Sequence, residues 1–215
     1  MMRNRLRFIV CKLRYNSFPR LVLDVLKIVK IRINPFYILR EGLHPEVDSP
    51  GRAPDGCEIR IIHHEDLPQF ADFPDRTESL ESLQQRMGRG DVGLGAWLNG
   101  RAAGFTWART DEFLCHLYRF DLREDEAYLY DAYTSTECRG RGLAGHLRYR
   151  LYEALAERGR HTLFSVTARF NRPSLQFKIK LGGRIVDSCC HASFFRRWQT
   201  CTAARPEKLR RQPPA

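Results

Sequence analysis

The residues Glu137-Cys138-Arg139-Gly140-Arg141-Gly142-Leu143-Ala144-Gly145 carry more information than any other part of this chain. They stand between a strand-like segment, residues 126–134 with Tyr128, Leu129, Tyr130 and Tyr133, and a helical one, residues 142–158. In the helical segment Leu143, Leu147, Leu151, Ala154 and Leu155 share one face, and Gly159 is placed to cap the end. A glycine-rich turn entering a helix leaves the first N–H groups without intrahelical acceptors and aims them at one point. The positive end of the helix dipole reinforces them, so the turn suits a pyrophosphate and needs no metal. Glycine and alanine are required because a larger side chain would hold the phosphates off the amides.

Other phosphate loops fit worse. A Walker loop needs Gly-Lys-Ser/Thr, which is missing. The dinucleotide pattern is present loosely as Gly140-Arg141-Gly142-Leu143-Ala144-Gly145, but it wants an acid at the end of the next strand, and that strand ends in Val166-Thr167-Ala168.

Downstream, residues 161–167 form a strand. Residues 173–181 form a helix with proline in the first turn and Gly182 after the last. The final strands are residues 184–188 and a stretch within 191–198. Upstream, residues 92–98 and 101–110 flank Asn99-Gly100, a strong hairpin signal. Residues 79–87 read as a helix, Asp66 or its neighbours open another helical region, and residues 57–62 are a strand. Pro45, Pro50, Gly51, Pro54, Asp55 and Gly56 mark a linker.

The first and last segments hold the charge. Of the net +11, residues 1–40 contribute +9 and residues 196–215 contribute +5, which leaves the middle at −3. A nucleic-acid groove in the body of the fold is disfavoured; attraction of the ends to phosphate-rich surfaces is open. Leu21, Val25, Ile28 and Val29 fall at helical spacing and Arg32 continues their face, so a basic amphipathic helix is expected, ended or kinked by Pro35. Such a helix can lie on an anionic membrane or pack on its own domain. Seven scattered cysteines without CxxC or zinc spacing indicate reduced thiols and no metal site; the pair Cys189-Cys190 reads as one side chain in and one out on a strand. No apolar run is long enough for a secretory signal or a bilayer span, and a cytoplasmic protein is expected, peripheral at the inner membrane face if the basic segment docks there.

With these elements in order, the chain resembles the GNAT N-acetyltransferases. Their acyl-CoA loop, Arg/Gln-x-x-Gly-x-Gly/Ala, is matched by Arg139, Gly142 and Ala144. A second motif, Asn171-Arg172-Pro173-Ser174 leading to Phe177-Lys178-Ile179-Lys180-Leu181-Gly182, resembles the family's Asn-x-x-(Ser/Ala) helix ending in Lys-Leu-Gly. The resemblance covers about residues 57–198. It implies an α/β (α+β) fold with a mixed, mostly antiparallel central sheet flanked by helices. Residues 1–50 are then a basic N-terminal helical extension and linker, 51–200 the acyltransferase domain, and 201–215 a disordered basic tail.

The resemblance also implies an activity: acyl transfer, acetyl by default, from acetyl-CoA or another acyl-CoA to a primary amine. A non-catalytic CoA-binding module tethered by basic termini is the alternative. Backbone amides of Arg139, Gly140, Arg141, Gly142, Leu143 and Ala144 would receive the pyrophosphate, with charge-assisted help from Arg139 and Arg141. Tyr133 and Thr134 would align the pantetheine arm as an added strand. Asn171 would bond that arm and Ser174 would approach the phosphates, although both positions also suit helix capping. Asp131 is the candidate base, with Glu126 and Asp125 behind it, and Tyr133 or Tyr130 the candidate acid. Two positions depart from the family pattern. Lys178 stands where relatives often carry tyrosine, and a surface role is expected for it. Gly183 stands where an aromatic residue usually follows Leu-Gly. His191 is a weaker candidate near the acceptor side.

Overall fold

The computed structural model describes residues 30–44, 50, 53–71, 73, 76, 78–195 and 197–211. Its elements in chain order are β1 (Ile31–Glu41), β2 (Cys57–Ile61), a 3-10 turn (His64–Asp66), α1 (Leu67–Ala71), α2 (Leu80–Gly88), β3 (Val92–Leu98), β4 (Arg101–Arg109), β5 (Glu112–Cys115) and β6 (Tyr118–Asp121). There follow β7 (Glu126–Thr134), a 3-10 turn (Thr136–Cys138), α3 (Leu143–Ala156), β8 (Thr162–Ala168), α4 (Arg172–Lys180), β9 (Arg184–Phe194), β10 (Trp198–Thr202) and α5 (Pro206–Arg211). Eight strands make one sheet in the order β10-β9-β1-β8-β7-β4-β3-β2, and β5-β6 form a separate hairpin. Every pair in the large sheet is antiparallel except β7–β8. A parallel pair needs a crossover, and α3 supplies it.

Local chemistry accounts for the turns. Asn99 (φ 51°) and Gly100 (φ 78°) both take left-handed backbone between β3 and β4, as a tight hairpin requires. Ser79 accepts the Ser82 N–H at the start of α2. The stripe on α3 buries Leu143, Leu147, Leu151 and Leu155 against Leu94, Ala96, Leu129 and Leu163 of the sheet. A second core under the β5–β6 hairpin gathers Phe36, Phe113, Tyr128, Phe164 and Leu209. A third, aromatic core joins Phe70, Phe73, Trp97, Phe105 and Trp107 beneath α1 and α2.

Two boundaries differ from the sequence reading. Residues 31–41, expected outside the domain, are strand β1, hydrogen-bonded between β8 and β9 with Ile38 and Leu39 fully buried. Pro35 fits there because the Pro35 carbonyl, which accepts from Arg169 N–H, faces the β8 side. β8 ends at Ala168, so the missing N–H forfeits no ladder bond. Helical spacing at residues 21–29 lies outside the described residues. The tail is ordered through Arg211: Leu209 is fully buried, and Arg210 donates to the Glu126 carboxylate at 2.6 and 2.8 Å. β9 is one strand of eleven residues rather than two pieces. Cys189 is buried and Cys190 only partly so, as alternation along a strand requires.

Candidate active site

β7 and β8 pair only from Glu126↔Thr162 to Leu129↔Ser165. Beyond that point β7 continues against β4 and β8 against β1, so the sheet forks. A bulge opens the fork. Phe105 faces Tyr133 and Trp107 faces Tyr130, which sets Asp131 and Ala132 of β7 opposite the single residue Thr106. Asp131 takes φ 43°, a conformation an L-residue rarely adopts, and the extra residue bends β7 away from β8. Gly104 lets β4 follow: a Cβ there would stand 2.7 Å from the Tyr133 carbonyl oxygen.

The glycine-rich loop lies at the mouth of this fork. Gly140 (φ 77°) and Gly142 (φ 76°) take left-handed backbone, and Gly142 is the residue from which α3 starts. Its carbonyl accepts from Gly145 and His146, the first intrahelical bonds. Among the described residues, the N–H groups of Gly140, Arg141, Gly142, Leu143 and Ala144 meet no backbone acceptor. Beside them opens a cleft of ≈ 640 Å³, ample for a cofactor-sized ligand. Free amides, a helix N-terminus and adjacent room together fit a diphosphate.

Most of the binding residues expected from sequence meet at this cleft: Tyr133, Thr134, Arg139, Gly140, Gly142, Leu143, Ala144, Asn171 and Ser174 are all on its wall. Arg141 is in the loop but not on the wall. Arg139 Nε donates to the Thr134 carbonyl at 3.1 Å, and the guanidinium lies 5.9 Å from the Tyr133 ring. Asn171 caps α4 by accepting Ser174 N–H at 3.3 Å, so the capping role expected for the pair is present. Tyr133 packs on Phe73 at 4.7 Å and Phe105 at 5.8 Å.

The candidate base is placed differently. Asp131 is absent from the cleft wall; Arg76 donates to its carboxylate at 3.0 Å and Arg86 donates to it as well. Both guanidiniums also meet Glu78. Tyr130 donates to Asp91 at 2.5 Å; burial, then that bond, pushes the phenol well above its ordinary range. Glu126 is salt-bridged to Arg210, and the Asp125 carbonyl accepts from His161 and Thr162. His191 is stacked on His116 at 4.3 Å, far along the sheet on β9.

Lys178 corrects the surface expectation. It is 3% exposed. Its Nζ donates to Ser165 Oγ (2.9 Å), the Val166 carbonyl (3.1 Å) and Thr167 Oγ1 (2.7 Å), three consecutive residues at the apex of the fork. Glu41 Oε1 is 3.7 Å away, and Arg148 Nε stands 3.7 Å from Glu41 Oε2. Ser165 and Tyr152 hydroxyls also donate to Glu41. Burial raises the Glu41 pKa, but Arg148, Lys178 and the two hydroxyls outweigh it, so the carboxyl lies below its usual range. Burial dominates at Lys178 and lowers it to about 8. Gly183 belongs to the same feature: a Cβ would meet the Lys178 carbonyl at 2.8 Å and Glu41 Cγ at 3.3 Å. The two departures from the family pattern therefore lie side by side, at the end of α4 next to Glu41 of β1. Other cleft residues had no sequence signal: Thr106, whose buried Oγ1 has no hydrogen-bond partner among the described residues, and Arg148, whose Nε and Nη1 have none among them.

Comparison with known proteins agrees with this geometry. Residues 59–182 match the model of the acetyltransferase (GNAT) family. No curated protein matches the chain in sequence. Among solved structures, an acetyltransferase of the GNAT family from Novosphingobium aromaticivorans superposes with TM-score 0.54 at 18% identity, covering 74% of this chain and 63% of that one. One from Colwellia psychrerythraea gives 0.58 at 18%, covering 76% and 57%. A tandem GNAT protein from the clavulanic acid biosynthesis pathway gives 0.57 at 18%, covering 73% and 51%. The chain thus spans about half to three fifths of the length of these structures, and at such identity the likeness concerns the fold.

Proposed function

This chain belongs to the GNAT family of acetyltransferases, and we propose that it transfers an acyl group, acetyl by default, from acyl-CoA to the nitrogen of a primary amine. One observation carries the reading: the forked sheet opens a cleft beside five backbone N–H groups that have no backbone acceptor among the described residues.

In this reading the amides of residues 140–144 hold the diphosphate, and Arg139 turns from Thr134 to meet it. The open edge of β7 at Tyr133 and Thr134 aligns the pantetheine arm as a further strand would. Asn171 and Ser174 close the opposite wall. Main-chain N–H groups of β7 beside the bulge face the thioester carbonyl and stabilise its oxyanion as the amine attacks. Asp131, fixed by Arg76 and Arg86, holds the bulge and so positions that donor, while Tyr133 is the ionisable β7 side chain on the wall and the candidate for proton transfer. A second reading, binding without turnover, is favoured by the engagement of Asp131 by two arginines.

Release of free CoA from acetyl-CoA, followed across a panel of primary amines with mass-spectrometric detection of product, tests both. Amine-dependent release supports transfer. Binding by calorimetry without release by any amine leaves the binding module, and no binding at all removes both readings.

A further inference from the structure

Two polar side chains on the cleft wall are buried without the bonds that burial demands. Thr106 is 1% exposed and Arg148 2% exposed; among the described residues the Thr106 Oγ1 and the Arg148 Nε and Nη1 have no hydrogen-bond partner. A buried hydroxyl left unpaired is costly, and a buried guanidinium more so. Lys178 makes the contrast, since its ammonium reaches three acceptors on β8. Glu41 does not meet the need of Arg148. Its Oε2 stands 3.7 Å from Arg148 Nε, beyond a hydrogen bond, and its oxygens already accept from the Tyr152 and Ser165 hydroxyls.

The deficit is one of charge as well as of bonds. Below the Lys178 pKa of about 8, Glu41 is a single carboxylate facing two cations. Among the described residues the cleft wall carries Arg139, Arg148 and Lys180 but no aspartate or glutamate. Water in the cleft supplies hydrogen bonds and no charge. The diphosphate has its own seat at residues 140–144, whereas Arg148 stands beside Glu41 of β1. Thr106 faces the β7 bulge, whose main-chain donors are assigned to the thioester carbonyl in the proposed function, so its hydroxyl is placed where the acyl chain begins. We propose that the acyl group transferred ends in a carboxylate, a short dicarboxylic acyl group in place of acetyl, and that Thr106 and Arg148 bind that carboxylate. The inference rests on the acyl-CoA reading of the cleft. In the transfer the amine nitrogen attacks the thioester carbonyl, the C–N bond forms as the C–S bond breaks, and the proton lost by the amine ends on the CoA sulfur. The product is an amide that keeps its free carboxylate. A guanidinium and a hydroxyl together suit such a group, because charge-assisted bonds to a carboxylate are the strong ones.

The full chain is titrated by calorimetry with CoA, butyryl-CoA and succinyl-CoA. The last two are equal in chain length and differ only in ending with a methyl or a carboxylate. Succinyl-CoA should bind at least about tenfold more tightly than butyryl-CoA. R148M should bring the two affinities together. T106V should narrow the gap about threefold or more, with a melting temperature unchanged or raised, because the hydroxyl it removes bonds nothing among the described residues. That variant carries the test if R148M does not fold. Equal affinities in the wild-type chain, or a gap that neither variant narrows, overturn the inference and leave the acyl-CoA reading in place. An R148M defect that weakens free CoA as much as succinyl-CoA gives the side chain to the pantetheine arm and overturns it as well. Absence of binding by CoA itself removes the acyl-CoA reading, and this inference with it.

Discussion

The mouth of the fork and its apex handle charge in opposite ways. At the mouth, residues 140–144 present backbone N–H groups that meet no backbone acceptor among the described residues, and the partial charges they carry are fixed by main-chain geometry. At the apex, Glu41, Lys178 and Arg148 bring full charges to sites no more than 5% exposed, held by Ser165, Thr167 and Tyr152. The first arrangement keeps donors available for a ligand and contributes little to stability. The second consumes its hydrogen bonds within the protein and ties β1, β8, α3 and α4 together. A loop of this kind is specialised for binding, whereas a buried cluster specifies which elements sit side by side.

The apex should fail hardest under mutation. Glu41→Ala leaves Lys178 and Arg148 buried without their carboxylate, and removing one member of a buried pair costs about 3–5 kcal/mol. Urea unfolding of Glu41→Ala should show that loss; a change below about 1 kcal/mol would mean that water or a relaxed Lys178 compensates. The mouth should fail in binding instead. Gly142→Glu sets a carboxylate at the proposed diphosphate seat and forces an L-residue to φ 76°, so acetyl-CoA affinity should fall by more than about 100-fold, roughly 2.7 kcal/mol, with a small loss of stability. Calorimetry and urea titration of the same sample separate the two effects. Unchanged affinity would remove the loop from the site.

The same contrast explains what could be read in advance. The loop is local: nine consecutive residues, a strand before and a helix after, and all of its geometry follows from glycine positions. The Asn171 cap and the Asn99-Gly100 hairpin are local for the same reason. β1 was hidden because Leu21, Val25, Ile28 and Val29 set up a helical period that runs into it, and because Pro35 argues against a central strand unless β8 is known to end at Ala168. Lys178 was misplaced because its burial depends on Glu41, which is distant in sequence and lies in a segment assigned outside the domain. Leu209 was lost in a basic tail whose composition outweighed one apolar anchor. The fork could not be read either, since it needs the pairing register of four strands.

Between these extremes the pH dependence of Lys178 sharpens the comparison. The folded pKa of about 8 lies below the unfolded value near 10.5. Below pH 8 both states hold the proton and the burial penalty is fully present. Between these two values the unfolded chain binds more protons, so stability rises with pH, by at most about 1.4 kcal/mol per unit. The half-buried thiols of Cys57 and Cys115, whose pKa values burial raises, act in the opposite sense above pH 9. The measurement is therefore the difference between wild type and Lys178→Met from pH 7 to 10. A growing advantage of wild type over that interval is expected; a flat difference would place the proton elsewhere in the cluster.

The smallest effect tests whether one residue serves both regions. Asn171 lies on the cleft wall and also caps α4, the helix that delivers Lys178 to the apex. Asn171→Ala removes the acceptor for Ser174 N–H and should cost about 1 kcal/mol, a melting shift of roughly 2–4 °C in a chain of this size. If capping is its whole role, Asn171→Ser restores stability and acetyl-CoA affinity together. If the Asn171 amide also meets the pantetheine arm, the serine variant regains the melting temperature while affinity stays several-fold weak, because serine can cap the helix but cannot reach as far. The second pattern is expected, since the cap bond uses Oδ1 and leaves Nδ2 as a donor at a position on the cleft wall.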